Sequence, residues 1–524
     1  MHYFDAHCYL GRFNAWRGDQ PIAAPELLRV MDHYGIHEAL VVDALARENH
    51  PAEGNGRVFE LTGGHPRLHP AWAALPPASR ELPPPDELVA AMAARDVRAI
   101  FLYPGQYRFT LDDWCVDRLL GPLAERRAPV FICPNALIGD ENIDLTDWPG
   151  VVRLCRAFPA LPVAISESRV HRDQRLLYQA LEACPNLHVV LTAVWHHRIV
   201  EYICREWGAA RLLFSAGLPA RDPGLTLGQL NYAEISEAER AAIAGGTLRR
   251  LLTWGGALPA WPEPAVAFPP PLDDLHAMAR DRKPLRGQGF RCCHGHLGLH
   301  NYVHVADGSV EELLAQMDHA GVEQAVIFPN SGMNSDETYG NDLVIQASQA
   351  HPDRFIGFAL VNLNRAPEEM RRELERCFKA GLRGIKIHAF LQNYDTNGPA
   401  VEAACAFAHE RRAFIVNHHW GGTERIRYLC LKYPDACVIT GHAAEEAVPV
   451  LGECPNLYIG TSALTGYGML EWLVAQGGAD RILFGSDLSW SPIPWGLGPI
   501  LYARIPAAQK RLILGGNLRR LATL

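Results

Sequence analysis

The chain has 524 residues, 48% hydrophobic and 20% charged, with a formal net charge of −9. That length exceeds what one hydrophobic core organises and suits two domains of roughly 240 to 260 residues. The composition is ordinary for a globular protein and offers no basic surface to attract nucleic acid.

No apolar run approaches the ~20 residues a bilayer crossing needs. Met1-His2-Tyr3-Phe4-Asp5 lacks the charged segment and apolar run of a secretory signal. The thirteen cysteines are scattered, with a vicinal pair at Cys292-Cys293, which suits a reducing compartment better than a disulfide framework. The expectation is a cytoplasmic protein with neither nucleic acid nor membrane as partner.

The chain carries one pattern twice. Glu26-Leu27-Leu28-Arg29-Val30-Met31-Asp32-His33-Tyr34-Gly35-Ile36-His37-Glu38-Ala39 returns as Glu312-Leu313-Leu314-Ala315-Gln316-Met317-Asp318-His319-Ala320-Gly321-Val322-Glu323-Gln324-Ala325. Gly245-Gly246-Thr247-Leu248-Arg249-Arg250 returns as Gly515-Gly516-Asn517-Leu518-Arg519-Arg520. A period this long means duplicated domains rather than a solenoid. Between the copies, Ala257 to Pro264 and Phe268 to Pro271 are rich in proline, which forbids helix and central strand. The division predicted is 1–255, a linker over 256–286, and 287–524.

Within each copy, short Val, Ile, Leu and Phe runs alternate with stretches of helical periodicity. The runs are Ala39 to Val42, Ala325 to Phe328, Phe355 to Val361, Gly384 to His388, Phe414 to Asn417, Cys437 to Thr440 and Arg481 to Phe484. Val310 to His319 and Pro367 to Lys379 space their apolar residues three or four apart and read as helices. Alternation of strand and helix predicts a parallel sheet. Polar residues gather at the carboxyl ends of several runs, where a barrel keeps its active site, so the fold expected is α/β, two tandem (β/α)8 TIM-type barrels.

The second copy opens with Cys293-His294-Gly295-His296-Leu297-Gly298, and i, i+2 spacing in a strand turns both imidazoles to one side. Phe414 to Asn417 runs into His418-His419, Cys437 to Gly441 into His442, and Ile482 to Ser486 into Asp487. Three imidazoles and a carboxylate suit zinc or a similar divalent ion with an open position for water.

These motifs, with Gly384-Ile385-Lys386-Ile387-His388 and the closing Ile513 to Leu521, resemble the amidohydrolase superfamily, in the branch that includes aminocarboxymuconate-semialdehyde decarboxylase. The resemblance covers residues 288 to 524. It implies that His294, His296, the histidine after the fifth strand and Asp487 bind one divalent metal per chain, zinc or alternatively manganese, and that His442 is catalytic beside Asp487. Aligning Glu410-Arg411-Arg412-Ala413 with Glu125-Arg126-Arg127-Ala128 sets His418 opposite Cys133, which favours His418 over His419. Lys386, His388, His419 and Trp420 are assigned to substrate binding. One departure stands out: Cys292 occupies the position, two before the first histidine, where the family usually has Asp.

The first copy keeps the opening frame in Asp5-Ala6-His7-Cys8-Tyr9-Leu10-Gly11, but Tyr9 replaces the second histidine. Cys133 stands at the fifth-strand position and Gly217 at that of Asp487. Leu191-Thr192-Ala193-Val194, read as the sixth strand, lacks its histidine, with His196 and His197 a few residues late. The reading is a degenerate, non-catalytic barrel packed on the second as an in-chain pseudo-dimer; a soft metal site of His7, Cys8, Cys133, His196 and His197 is the alternative. The function implied for the second copy is hydrolysis of an amide, lactone or ester of a small molecule through a metal-activated water. The alternatives are non-oxidative decarboxylation, or hydration, of an unsaturated or aromatic acid, and a non-catalytic scaffold.

Overall fold

The computed structural model describes residues 1–14, 20–134, 146–258 and 266–523. The chain divides into two compact units, Met1–Pro271 and Leu272–Leu524. That boundary falls inside the expected linker, whose residues 259–265 lie outside the described ones. The remainder of the linker is not all irregular: Asp274–Arg280 is a helix capped by Asp273. It belongs to the second unit, where Asp273 pairs with the buried Lys510 at 2.8 Å and His276 packs against Tyr502.

In the first unit, β1 (Phe4–Leu10), β2 (Glu38–Asp43) and β3 (Leu68–Pro70) form one parallel sheet. A second holds, in order, β4 (Trp72–Ala73), β5 (Ile100–Leu102), β6 (Val130–Ile132), β7 (Val163–Ile165), β8 (Leu187–Val190) and β9 (Leu212–Leu213). β1 reaches the far end of this series: Ala6 N donates to Phe214 O at 2.9 Å and Tyr9 N to Leu218 O at 3.0 Å. The repeated helical motif is realised in Ala24–Tyr34, which buries Leu27, Val30, Met31 and Tyr34. It stops at Gly35, whose φ of 77° lets its N–H turn back onto the last carbonyls.

In the second unit the strands are β10 (Phe290–Cys292), β11 (His296–Leu297), β12 (Val322–Pro329), β13 (Phe355–Leu360), β14 (Gly384–Ile387), β15 (Phe414–Asn417), β16 (Cys437–Thr440), β17 (Leu457–Gly460) and β18 (Ile482–Leu483). All pair in parallel in that order, with β11 beside β12. Cys293 N donates to Phe484 O at 2.7 Å and Gly295 bridges Leu488, so first and last strands meet in a nearly closed TIM-like barrel. Strands this short and apolar, buried on both faces, belong in a parallel sheet with helices around it. Val326, Phe328, Phe358, Val416, Ile439 and Leu483 fill the core. The expected helices Val310–His319 and Pro367–Lys379 are present with those bounds.

Register decides which side chains share the rim. Ile387 pairs with Asn417, and Asn417 with Thr440, so His388 and His418 follow their strands at one level and His442 lies one residue further along its own. All thirteen cysteines are free thiols. No described helix is long and apolar enough to cross a membrane.

Candidate metal centre

His294 and His296 flank the barrel's closing seam, 1% and 2% exposed, and Asp487 follows the last strand. Both Nε2 atoms face one carboxylate oxygen, Asp487 Oδ1, at 3.1 Å from His294 and 3.3 Å from His296. One donor atom from each residue lies within 4.8 Å of the others, the one such group among the described residues. Both Nδ1 atoms are buried without a hydrogen-bond partner. A divalent cation among the three residues would satisfy two imidazole lone pairs and the carboxylate together, so the donor set fits the implied metal.

The electrostatics agree with that use. Burial pushes the Asp487 carboxyl up, but His294, the His296 hydrogen bond and His442 outweigh it and hold it well below the carboxylate range. Burial, then Lys386, holds His294 well below its ordinary value, and burial takes His296 down to about 4 despite its bond to Asp487. Near neutral pH the centre therefore offers neutral imidazoles and an ionised carboxylate, the forms a metal requires.

The other expected residues are placed unevenly around this group. His418 lies outside it, its ring stacked on His388 at 4.1 Å and set edge-on to His442 at 4.3 Å. His442 in turn stands 5.8 Å from the His294 ring, so the imidazoles form a chain leading to the centre. Lys386 is fully buried with Nζ 3.4 Å from His294 Nε2 and 4.4 Å above the Phe328 ring. Burial lowers its pKa to about 7, against the pull of Asp487. His388 Nδ1 accepts from Leu391 N at 3.3 Å, capping a short helix. The last two candidates sit elsewhere: the His419 side chain is 57% exposed beside Glu446, and Trp420 is buried with its Nε1–H donated to Ile439 O at 3.0 Å. Solvent and packing, not the rim, claim those two.

Two further side chains pack against the centre through contacts that the sequence did not reveal. Trp490 stacks on His296 with ring centres 4.5 Å apart and donates Nε1–H to Asn330 Oδ1 at 2.7 Å, while Asn330 donates to Gly298 O. His300 is 9% exposed and packs on Trp490 at 4.7 Å. Loop residues carry no periodicity from which such contacts are read.

The first unit needs one correction. Its sixth strand is β7, not the segment around Leu191 to Val194, which follows the seventh strand, β8. Ile132 pairs with Ile165 as Asn417 pairs with Thr440, so Glu167 stands at the position of His442. The error has a physical source: β7 is three residues long and leaves little apolar signal, whereas Leu187 to Val194 is a longer run. By the same register Tyr103 matches His388.

These replacements bond to one another. Arg47, fully buried, reaches Glu167 through Nε at 3.0 Å and Nη2 at 2.9 Å, and its guanidinium also pairs with Glu48. Tyr9 hydroxyl donates to Glu167 and lies 3.2 Å from the Tyr103 hydroxyl. His7 Nδ1 sits 2.8 Å from Ser166 Oγ, and Cys8 Sγ donates to Asp5. An ion pair occupies the place that the second unit gives to its histidines.

The fold and site define a class: a parallel α/β barrel whose strand ends bring two histidines and an aspartate to one point. Residues 293–521 match the model of the family described as Amidohydrolase. Similar solved structures include an uncharacterized TIM-barrel protein, Bb4693, from Bordetella bronchiseptica, at 21% identity and TM-score 0.36, covering 41% of this chain and 83% of that one. Another is 5-carboxyvanillate decarboxylase LigW from Sphingomonas paucimobilis, at 17% and 0.37, covering 46% and 99%. A third is 5-carboxyvanillate decarboxylase from Novosphingobium aromaticivorans, complexed with manganese and a nitrobenzoic acid, at 18% and 0.36, covering 41% and 81%. No curated protein matches the chain.

Proposed function

We propose that the second unit is a metal-dependent enzyme of amidohydrolase type that hydrolyses an amide, lactone or ester of a small molecule. The observation that carries the proposal is the meeting of His294, His296 and Asp487 donor atoms within 4.8 Å. His418 is the fourth ligand of the proposal, and zinc, or manganese as the alternative, is the metal. The bound ion would polarise the substrate and make a water acidic enough to ionise near neutral pH. Asp487, ionised and beside both histidines, takes the proton from that water and returns it to the leaving group. His442, next to His294 and His418, stabilises the negative charge that develops on the substrate. The barrel walls, with Phe328 and Trp490 against the ligand rings, hold the imidazoles in place.

A second reading is decarboxylation of a carboxylic acid. It is favoured by Lys386, a buried amine beside the centre that in its charged form would pair with a substrate carboxylate. The first unit, in this proposal, is a second (β/α)8 barrel that is degenerate and serves as an in-chain partner.

The test is Asp487→Asn in the full chain. Loss of turnover by roughly 10²- to 10⁴-fold is expected, with the far-ultraviolet spectrum unchanged; wild-type rates would defeat the assignment. A panel of amides, lactones, esters and aromatic acids, followed by base consumption and by carbon dioxide release, separates hydrolysis from decarboxylation. A protein that takes up no divalent metal under replete conditions would instead be a scaffold.

A further inference from the structure

We infer that Cys292 is a positioning residue for the metal centre, an uncharged tie that holds the strand end bearing His294 against the strand end bearing Asp487. The inference rests on the reading of that centre as a metal site.

Cys292 ends β10 with no exposed surface. Its thiol makes three contacts. Sγ donates to His294 O at 3.2 Å, lies 3.2 Å from Ser486 Oγ, and accepts from Ser486 N–H at 3.3 Å. Ser486 precedes Asp487, and its hydroxyl accepts from Leu488 N at 3.2 Å, so the thiol anchors the backbone on both sides of the aspartate. Asp487 itself is in left-handed backbone, φ 61°, which a non-glycine residue keeps only when its surroundings hold it.

The first unit shows the same tie made differently. Asp5, at the matching position, accepts from His7 N at 3.0 Å and from Cys8 Sγ at 2.8 Å, and is also bonded by Ala216 and Ser215. It too joins the first strand to the last. There the position of Asp487 is Gly217, so Asp5 has no carboxylate beside it. In the second unit a carboxylate at 292 would lie within electrostatic reach of Asp487, whereas a thiol makes the bonds without adding like charge. A thiol is a weak donor and acceptor, but three contacts at one buried atom leave neither segment free to drift.

The experiment is a cobalt(II) titration of full-length, metal-stripped protein, followed by the visible absorption of the bound ion, on wild type, Cys292→Ala, Cys292→Ser and His296→Ala. Loss of a partner that orients ligands costs roughly 10- to 100-fold in metal affinity. Cys292→Ala should show that loss and an altered spectrum. Cys292→Ser, whose hydroxyl can make the same bonds, should bind within about threefold of wild type, well inside that range. Wild-type affinity and spectrum in Cys292→Ala overturn the inference, as does a serine variant as weak as alanine. Should the alanine variant not fold, the serine variant decides alone: tenfold weaker binding there overturns it. Wild-type protein that takes up no cobalt overturns the metal reading and this inference with it. Cobalt uptake lost in His296→Ala but unchanged in Cys292→Ala overturns this inference only.

Discussion

Asp487 and Gly217 occupy one position in the two copies, and both are left-handed, at φ 61° and 73°. For glycine that conformation carries no steric cost; for a residue with a Cβ it costs about 1–2 kcal/mol. The second unit bears this strain at the carboxylate that faces His294 and His296, and the first, where Tyr9 stands in place of the second histidine, has glycine. Such a residue was legible because Phe484-Gly485-Ser486-Asp487 ends an apolar run, and His294 and His296 were legible from their spacing. Cys292 was visible as a departure from the family pattern, but its contacts, like those of Trp490, were not, since each acts across more than 150 residues of chain on a partner that no local pattern names.

His188 gives a residue-scale prediction. Burial lowers its pKa to about 4, with the Ala210 carbonyl bond opposing and Arg211 adding to the fall. Below the ordinary value of 6.5 the unfolded chain binds a proton that the folded chain refuses, so stability is full above that value and lost as pH falls toward 4. At pH 5 the contribution should be about 2 kcal/mol below that at pH 7. Urea denaturation of His188→Gln at both pH values should show a shallower dependence than wild type by that amount; equal slopes would refute it.

Among elements, the strands that the apolar runs revealed include the buried Gly384–Ile387 and Phe414–Asn417. β7, only Val163–Ile165, was passed over, and with it the sixth-strand position in the first unit. Glu167 follows that strand, and its pairing with Arg47 became visible only through the register. Because the pair is buried, removing one partner leaves an uncompensated charge. Arg47→Met should therefore destabilise the first unit by about 3–5 kcal/mol. Arg47→Met with Glu167→Gln should recover much of that, the neutral pair no longer holding a bare charge in the interior. Chemical denaturation of the two single variants and the double variant measures the coupling, and strictly additive effects would contradict it.

At the scale of the whole molecule, among the described residues only the second of the two compact units gathers a donor set that could hold a metal. Binding to the native state alone stabilises it by about 2.7 kcal/mol when free metal is one hundred times the dissociation constant. If only Leu272–Leu524 holds the metal, calorimetry of the full chain should show one transition moving up on addition of zinc or manganese and the other staying in place. Movement of a transition in His296→Ala equal to that in wild type would place the metal elsewhere.

The sequence alone determined the alternation of strand and helix and displayed the repeated motifs and the differing residues of the two halves, because these are written in spacing and composition over a few residues. It also marked His294 and His296 by their spacing and Asp487 by its place at the end of an apolar run. What only the tertiary structure decided was who meets whom: that Asp487 Oδ1 lies between the two imidazoles, that His418 stacks on His388, that Trp420 turns to a backbone carbonyl, and that Arg47 pairs with Glu167. Local propensity acts along the chain, whereas these contacts depend on strand register and on closing one strand against another nearly 200 residues away. A single residue's shift in register would regroup them all.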